Sequence, residues 1–481
     1  MKIPLDDKKT FKLLANGETT GVFQLESSGM RRYLKELKPT EFNDIIAMVS
    51  LYRPGPMAWI PMYVKGKHNP DTVQYLHASF EPILKETYGV AVYQEQILQI
   101  ARDFAGFSLG EADILRKAVG KKDPKMLKGE REKFINGAVA KGHSKKFAEN
   151  VFEKVIEPFA AYGFNKSHAT CYAMIAYQTA YLKAHYSAEF MSALLTADAS
   201  NEDKIVIEVN ECESMGISVL PPSVNESLAN FTVVDGHTIR FGLKAIKGLG
   251  DHTIEAVIVA RENSPNKLPE KFKNLEDFAK RVPFSSLNKK SIEALAYSGA
   301  LDDLGERKAM ATSVDEIVRF AKSQQLNADN TQTDIFGMMA PEDMPSIEDL
   351  DLKTVTPSTR LEKLQWEKEY LGLFVSGHPF QGLKKYLAKK AYPLGNLNDK
   401  LAGRTIKICG IINRFKKVLT KSGAYMAYIG LEDLTGRLEI VIFPKTYNEY
   451  VSAIGENKVV TLEGRLEKRH DSFQFIAHPS A

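Results

Sequence analysis

Leu115-Arg116-Lys117-Ala118-Val119-Gly120-Lys121-Lys122 is the stretch from which the rest of the chain is read. Upstream, Ser108 and Glu111 have the spacing of a capping box, in which each side chain bonds the other's free backbone N–H. Ile114, Leu115 and Ala118 then form an apolar stripe at helical spacing. Arg116 and Lys117, with Lys121 one turn on, crowd cations onto the other face, and Gly120 leaves backbone open between them. Asp123-Pro124 closes this helix and opens the next, as N-cap and first helical residue. Lys125, Lys128, Arg131 and Lys133 add charge. Two readings fit these residues. One is a cationic helix that takes a triphosphate or a nucleic-acid backbone; the other is a solvated helix end whose cations complement the dipole.

Length and composition bound what surrounds this helix. The chain has 481 residues, enough at ~100–200 residues per domain for several domains. Its net charge of +4 is too small to argue a nucleic-acid partner, so that argument must rest on local clusters. The three cysteines, Cys171, Cys212 and Cys409, are far apart and lack metal-ligand spacing, which predicts core thiols in a reducing compartment. Met1–Asp7 lacks an apolar signal region, and no run approaches ~18 apolar residues, so the expectation is a cytoplasmic protein without a membrane partner.

Taken in order, the first quarter alternates short helices and loops. Gly21-Val22-Phe23-Gln24-Leu25-Glu26-Ser27 reads as a buried strand or turn before a helix from Met30, and Arg53-Pro54-Gly55-Pro56 as a rigid turn. Arg53 suits a phosphate or a surface ion pair. Gln94-Glu95-Gln96 starts an amphipathic helix, where these polar groups suit either a ligand or the helix dipole.

A second cluster, Gly163-Phe164-Asn165-Lys166-Ser167-His168-Ala169, leads into an apolar helix of roughly 169–185, expected to be buried on most sides. Its N-terminal turn, with Lys166 and His168, forms an anion site by simple geometry. His168 has no carboxylate or nucleophile at a fixed offset, so no catalytic residue is assigned.

After Pro221-Pro222 a hairpin is predicted around Asp235-Gly236-His237. Lys247-Gly248-Leu249-Gly250 before the helical Ile254–Arg261 has the layout of a helix-hairpin-helix, whose glycines admit a DNA phosphate to the backbone; a packing turn between helices is the other reading. A weaker second copy lies near Leu287–Ser291. From Lys322 to Thr359 the chain reads as a polar linker. Within it, the apolar pair of Gln332-Thr333-Asp334-Ile335-Phe336 either fills a partner's groove or pins the linker to its own domain. The acidic Glu348–Asp351 is a solvated run, not a metal site. From Arg404 the order is three strands, a helix and two strands, that of an OB-fold. Its basic loop, from Arg414-Phe415-Lys416-Lys417 to Thr420-Lys421-Ser422-Gly423, with Tyr425 and Tyr428 nearby, suits single-stranded nucleic acid.

These motifs, in this order, closely resemble the C-terminal half of the bacterial DNA polymerase III alpha subunit, over essentially the whole chain. The resemblance implies a multidomain, mainly α fold with some β: helical fingers at 1–225, a tandem helix-hairpin-helix region at 226–320, a linker with a clamp motif at 321–395, and an OB-fold barrel at 396–481. It implies that Arg116, Lys117 and Lys121, with Asn165, Lys166, Ser167 and His168, face the incoming dNTP and nascent base pair. Lys247, Gly248, Leu249 and Gly250 would grip primer–template DNA, and Arg414, Lys416 and Lys417 single-stranded template. Gln332, Thr333, Asp334, Ile335 and Phe336 match the beta sliding-clamp pentapeptide; other replisome subunits are further expected partners. The family's Mg²⁺ is held by palm carboxylates and the dNTP, and Met1 aligns just past the palm. The expectation is therefore a chain that binds DNA, nucleotide and clamp without polymerising alone; a non-catalytic DNA- and clamp-binding module is the alternative.

Overall fold

The computed structural model describes residues 3–121, 124–157, 163–263, 269–329, 349–377, 390–433, 435–456, 458–469 and 472–478. The chain is mainly helical and divides into two compact units, Met1–Met191 and Ser192–Ala481.

The first unit has two hydrophobic cores. In one, helices Lys8–Ala15, Ser28–Leu37 and Phe42–Leu51 pack with Val90, Val92 and Tyr93 on one face of helix Lys166–His185. That long helix is not buried on most sides. Its inner stripe is Ala169, Ala173, Ala176, Tyr177, Ala180 and Ala184, whereas Ile175 and Leu182 are exposed. Small side chains at three- and four-residue spacing let the neighbouring helices approach closely, so alanine rather than bulk marks the buried face. Cys171 lies outside this stripe and is exposed, against expectation, while Cys212 and Cys409 are buried. Gly21–Ser27 is a turn, not a strand, with Gln24 at φ 62°, and Ser27 caps a helix that starts at Ser28.

The second core joins Phe80, Ile83 and Leu84 to helices Gln94–Ala105, Leu109–Lys121, Pro124–Ala140 and Lys145–Val151. Ala112 and Leu115 face it and Ala118 is buried, but Ile114 is exposed. Residues three apart share one side of a helix, and Ile114 sits about 100° off that line.

In the second unit, the hairpin β2 (Thr232–Asp235) and β3 (Thr238–Arg240) is completed by β1 (Ser218–Leu220), parallel to β3. Helices Asp251–Glu262 and Lys289–Tyr297 follow the two hairpin turns; the first turn is preceded by the 3-10 segment Leu243–Ala245 and the second by helix Leu275–Arg281 and the 3-10 turn Phe284–Ser286. The expected linker begins as structure: helix Val314–Asp329 runs through Lys322. Gln332–Phe336 lies outside the described residues. Asp349 and Asp351 are exposed, and the chain then enters helix Arg360–Leu371 through a Thr359–Glu362 capping box.

The C-terminal strands β4 (Thr405–Leu419), β5 (Tyr425–Glu432), β6 (Arg437–Ile442), β7 (Val459–Arg469) and β8 (Ser472–Ala477) close into a barrel of order β4-β5-β6-β8-β7. Closure removes the open strand edges of so small a sheet. Ile406, Ile408, Ile412, Ile429, Leu431, Ile440 and Phe475 fill its interior. One expectation shifts: the basic stretch from Arg414 to Leu419 is strand, not loop. The helix between β6 and β7 is Pro444–Tyr450. Pairing of Arg414–Leu419 with Tyr425–Gly430 of β5 keeps this stretch extended although Lys416 and Lys417 are both exposed, and a charge count alone reads it as loop.

Candidate nucleotide and nucleic-acid interface

Helix Leu109–Lys121 presents the first cationic cluster. Ser108 and Glu111 form the reciprocal cap: the Ser108 N–H donates to Glu111 at 2.9 Å, and the Glu111 N–H to Ser108 Oγ at 3.3 Å. With Leu115 and Ala118 held in the core, Arg116 and Lys117 must project from it. Both converge on Asp113. Arg116 Nη2 is 2.8 Å from Oδ1 and Lys117 Nζ 2.8 Å from Oδ2. These two bonds hold the Asp113 carboxyl below its ordinary range. One carboxylate thus bridges two cations in the geometry a phosphate oxygen pair would use. The Lys121 side chain lies outside the described residues. Arg131 pairs with Glu153 and Lys133 with Glu130.

The second cluster is built where Tyr93 and Phe164 meet in a parallel β-bridge. Asn165 caps helix Lys166–His185, its Oδ1 accepting from the His168 N–H at 2.9 Å. The helix therefore starts three residues earlier than the apolar pattern predicts. The Lys166 N–H, which the sequence leaves free, donates to both Glu95 oxygens at 3.1 Å. Lys166 Nζ pairs with Glu86 at 2.7 Å. Ser167 and His168 are exposed. Gln96 is structural: its Oε1 accepts from the Val92 and Tyr93 N–H groups and its Nε2 donates to Ile83 and Thr87. Arg53 lies 4.0 Å over the Phe164 ring, and burial lowers its guanidinium pKa. His168 packs against Phe164 and Tyr172, and Tyr172 stacks on Phe23. The result is a row of π faces beside cations, a surface suited to stacked bases.

Helix Gln94–Ala105 connects the two clusters. Its Ile97 and Ile100 share a core with Ala112 and Leu115, and its Glu95 holds Lys166.

In the second unit the two hairpin turns come together. Gly248 has φ +81°, and a Cβ there would sit 3.1 Å from Lys290 Cε. Thr253 Oγ1 donates to the Ser286 carbonyl at 2.9 Å. Lys247 Nζ pairs with Glu202 at 2.9 Å, and its N–H donates to Tyr370. Leu249 and Gly250 complete the turn, with Gly250 as N-cap of helix Asp251–Glu262.

On the barrel, Lys417 Nζ lies 3.7 Å over the Tyr425 ring, and Lys416 is opposite Tyr428 across β4 and β5. A cleft of about 470 Å³ gathers Arg414, Lys416, Tyr428, Lys368 and Arg437. Burial opposes ionisation of Glu432, but Arg437, Asn413 and Lys368 outweigh that and lower its pKa.

Three family models match: a bacterial DNA polymerase III alpha subunit finger domain over residues 1–142, a helix-hairpin-helix motif over 216–311, and an OB-fold nucleic acid binding domain over 406–478. DNA polymerase III subunit alpha of Halalkalibacterium halodurans is 40% identical over 99% of the chain, that of Bacillus subtilis 41% over 98%, and that of Escherichia coli 38% over 96%. Over nearly its whole length the chain is similar to part of the bacterial DNA polymerase III alpha subunit. It spans 41%, 41% and 40% of the length of those three relatives.

The residues of these clusters that the sequence alone does not reveal are mostly carboxylates. Asp113, Glu86 and Glu202 each occupy a cation assigned to a ligand. Asp113 was detectable as the i−3 and i−4 partner of Arg116 and Lys117; Glu86 and Glu202 are remote in sequence. Among the described residues, no group of three His, Cys, Asp or Glu side chains is placed to hold a metal ion. The Mg²⁺ of the alpha-subunit family finds no fitting donor set there. No described helix is long and apolar enough to cross a membrane.

Proposed function

We propose that this chain is the fingers-to-OB portion of a replicative DNA polymerase, acting in the cytoplasm. It binds the incoming dNTP through Arg116 and Lys117, primer–template DNA through the paired hairpin turns, and single-stranded template along Arg414, Lys416 and Lys417. The sliding clamp is taken by Gln332–Phe336. The observation that carries the nucleotide reading is the shared Asp113. Two cations are neutralised by one carboxylate in reach of solvent, which screens such pairs, so a triphosphate can replace it. Asn165, Lys166, Ser167 and His168 border the base through the π row. Nucleotidyl transfer needs two Mg²⁺ ions on carboxylates, and none of these four side chains is one.

Primer extension with this chain alone, Mg²⁺ and four dNTPs tests the reading, with DNA affinity followed by fluorescence anisotropy. DNA binding that weakens steeply with salt, without extension, is expected. Extension by the purified chain would place catalytic carboxylates within it, and absence of DNA binding would remove the interface.

A further inference from the structure

Within the first unit, a cavity of about 620 Å³ lies where its two cores meet. Leu51, Val90 and Val92 of one core and Phe80 and Leu84 of the other line it. Three large apolar side chains on its lining, Trp59, Met62 and Leu76, are 37%, 42% and 44% exposed. Single exposed apolar side chains are ordinary, but three around one cavity form a patch that a ligand would cover. The volume falls within the roughly 300–1,000 Å³ of small-molecule sites. Two exposed cations, Lys65 and Lys154, also line it, and neither pairs with a carboxylate among the described residues. An apolar body therefore meets positive charge at its rim.

We infer that this cavity binds a small organic anion with an aromatic body, the rings among Trp59, Leu76 and Val90 and the anionic group on Lys65 and Lys154. The site is separate from the nucleotide and DNA surfaces. Its wall, Tyr88–Val92, runs directly into Tyr93, which bridges Phe164. An occupant thus braces the segment that holds Asn165 and Lys166.

Trp59 and Trp366 are the two tryptophans of the chain, so a Trp366→Phe variant leaves Trp59 as a reporter inside the cavity. The probes are anilinonaphthalenesulfonate and its uncharged analogue phenylnaphthylamine, each read by energy transfer from Trp59. Both should give saturable transfer, the sulfonate binding more tightly. Lys65→Gln with Lys154→Gln should weaken the sulfonate about tenfold, as expected for two surface charge contacts, and leave the neutral probe unchanged, which also shows the cavity intact. Absence of saturable transfer from either probe overturns the site. Equal sulfonate affinity in the double variant overturns its anion preference, as does equal weakening of both probes.

Discussion

The Glu95 carboxylate sits on the N-terminus of the helix that begins at Lys166, with both oxygens 3.1 Å from the Lys166 N–H. A helix start attracts anions because its first N–H groups lack intrahelical partners. Here the protein supplies that anion from the helix Gln94–Ala105. Glu95→Ala should therefore destabilise the chain by about 1 kcal/mol, in line with loss of a capping interaction. The check is chemical denaturation followed by circular dichroism. A midpoint unchanged from the parent would mean that water replaces the carboxylate without cost.

The Asp113 bridge makes opposite predictions for its two sides. Arg116→Ala should weaken dNTP binding severalfold by removing a charge-assisted contact. Asp113→Asn should strengthen it severalfold, because Arg116 and Lys117 then have no internal competitor. Equilibrium binding of a fluorescent dNTP measures both. Weaker binding by Asp113→Asn would mean that the carboxylate positions Arg116 rather than competes for it.

Much of this was legible in the chain because the signals are local. The Ser108–Glu111 cap, the Gly248 turn and the alternating strands of the barrel each depend on residues a few positions apart. What escaped depends on distant pairing. Nothing near Lys166 announces Glu86 or Glu95, which lie 80 and 71 positions away. Helix Lys166–His185 misled in another way: its largest apolar side chains are partly outside, and alanines mark the core face. Charge density likewise made a loop of Arg414–Leu419, where cross-strand pairing with β5 keeps the backbone extended.

Glu362 is the group from which an acid-dependent stability is expected. Bonds from the Thr359 N–H, Lys308 and the Thr359 hydroxyl lower its pKa from 4.5 to about 2. A carboxyl depressed on folding stabilises the fold above its unfolded pKa, and this contribution fades as pH falls through the folded value. The contribution of Glu362 is thus complete above about pH 4.5 and is lost towards pH 2. Glu362→Gln should be less stable than the parent at neutral pH, with the gap closing across that window. Urea midpoints taken at several pH values would show it; a constant gap would assign the effect to shape rather than charge.

The clamp assignment stands on Ile335 and Phe336. Replacing both with Ala should abolish capture of the chain by an immobilised sliding clamp, since apolar anchors dominate such short contacts. DNA affinity should not change. Retention of the double variant on the clamp would refute the assignment.

Gly248 joins backbone conformation to DNA affinity. At φ +81° an L-residue is strained, and a Cβ would press on Lys290 Cε at 3.1 Å. Gly248→Ala should cost about 1 kcal/mol of stability from the backbone alone. It should also push Lys290 out of its place beside the first turn, so duplex affinity falls and the salt dependence of binding becomes shallower. Lys290→Gln separates the two effects, because it removes the charge without straining the turn. It should reproduce the loss of salt dependence while leaving the unfolding midpoint close to that of the parent. If Lys290→Gln binds duplex with the parental slope, the turn packs the two helices together and Lys290 does not contribute to the DNA contact.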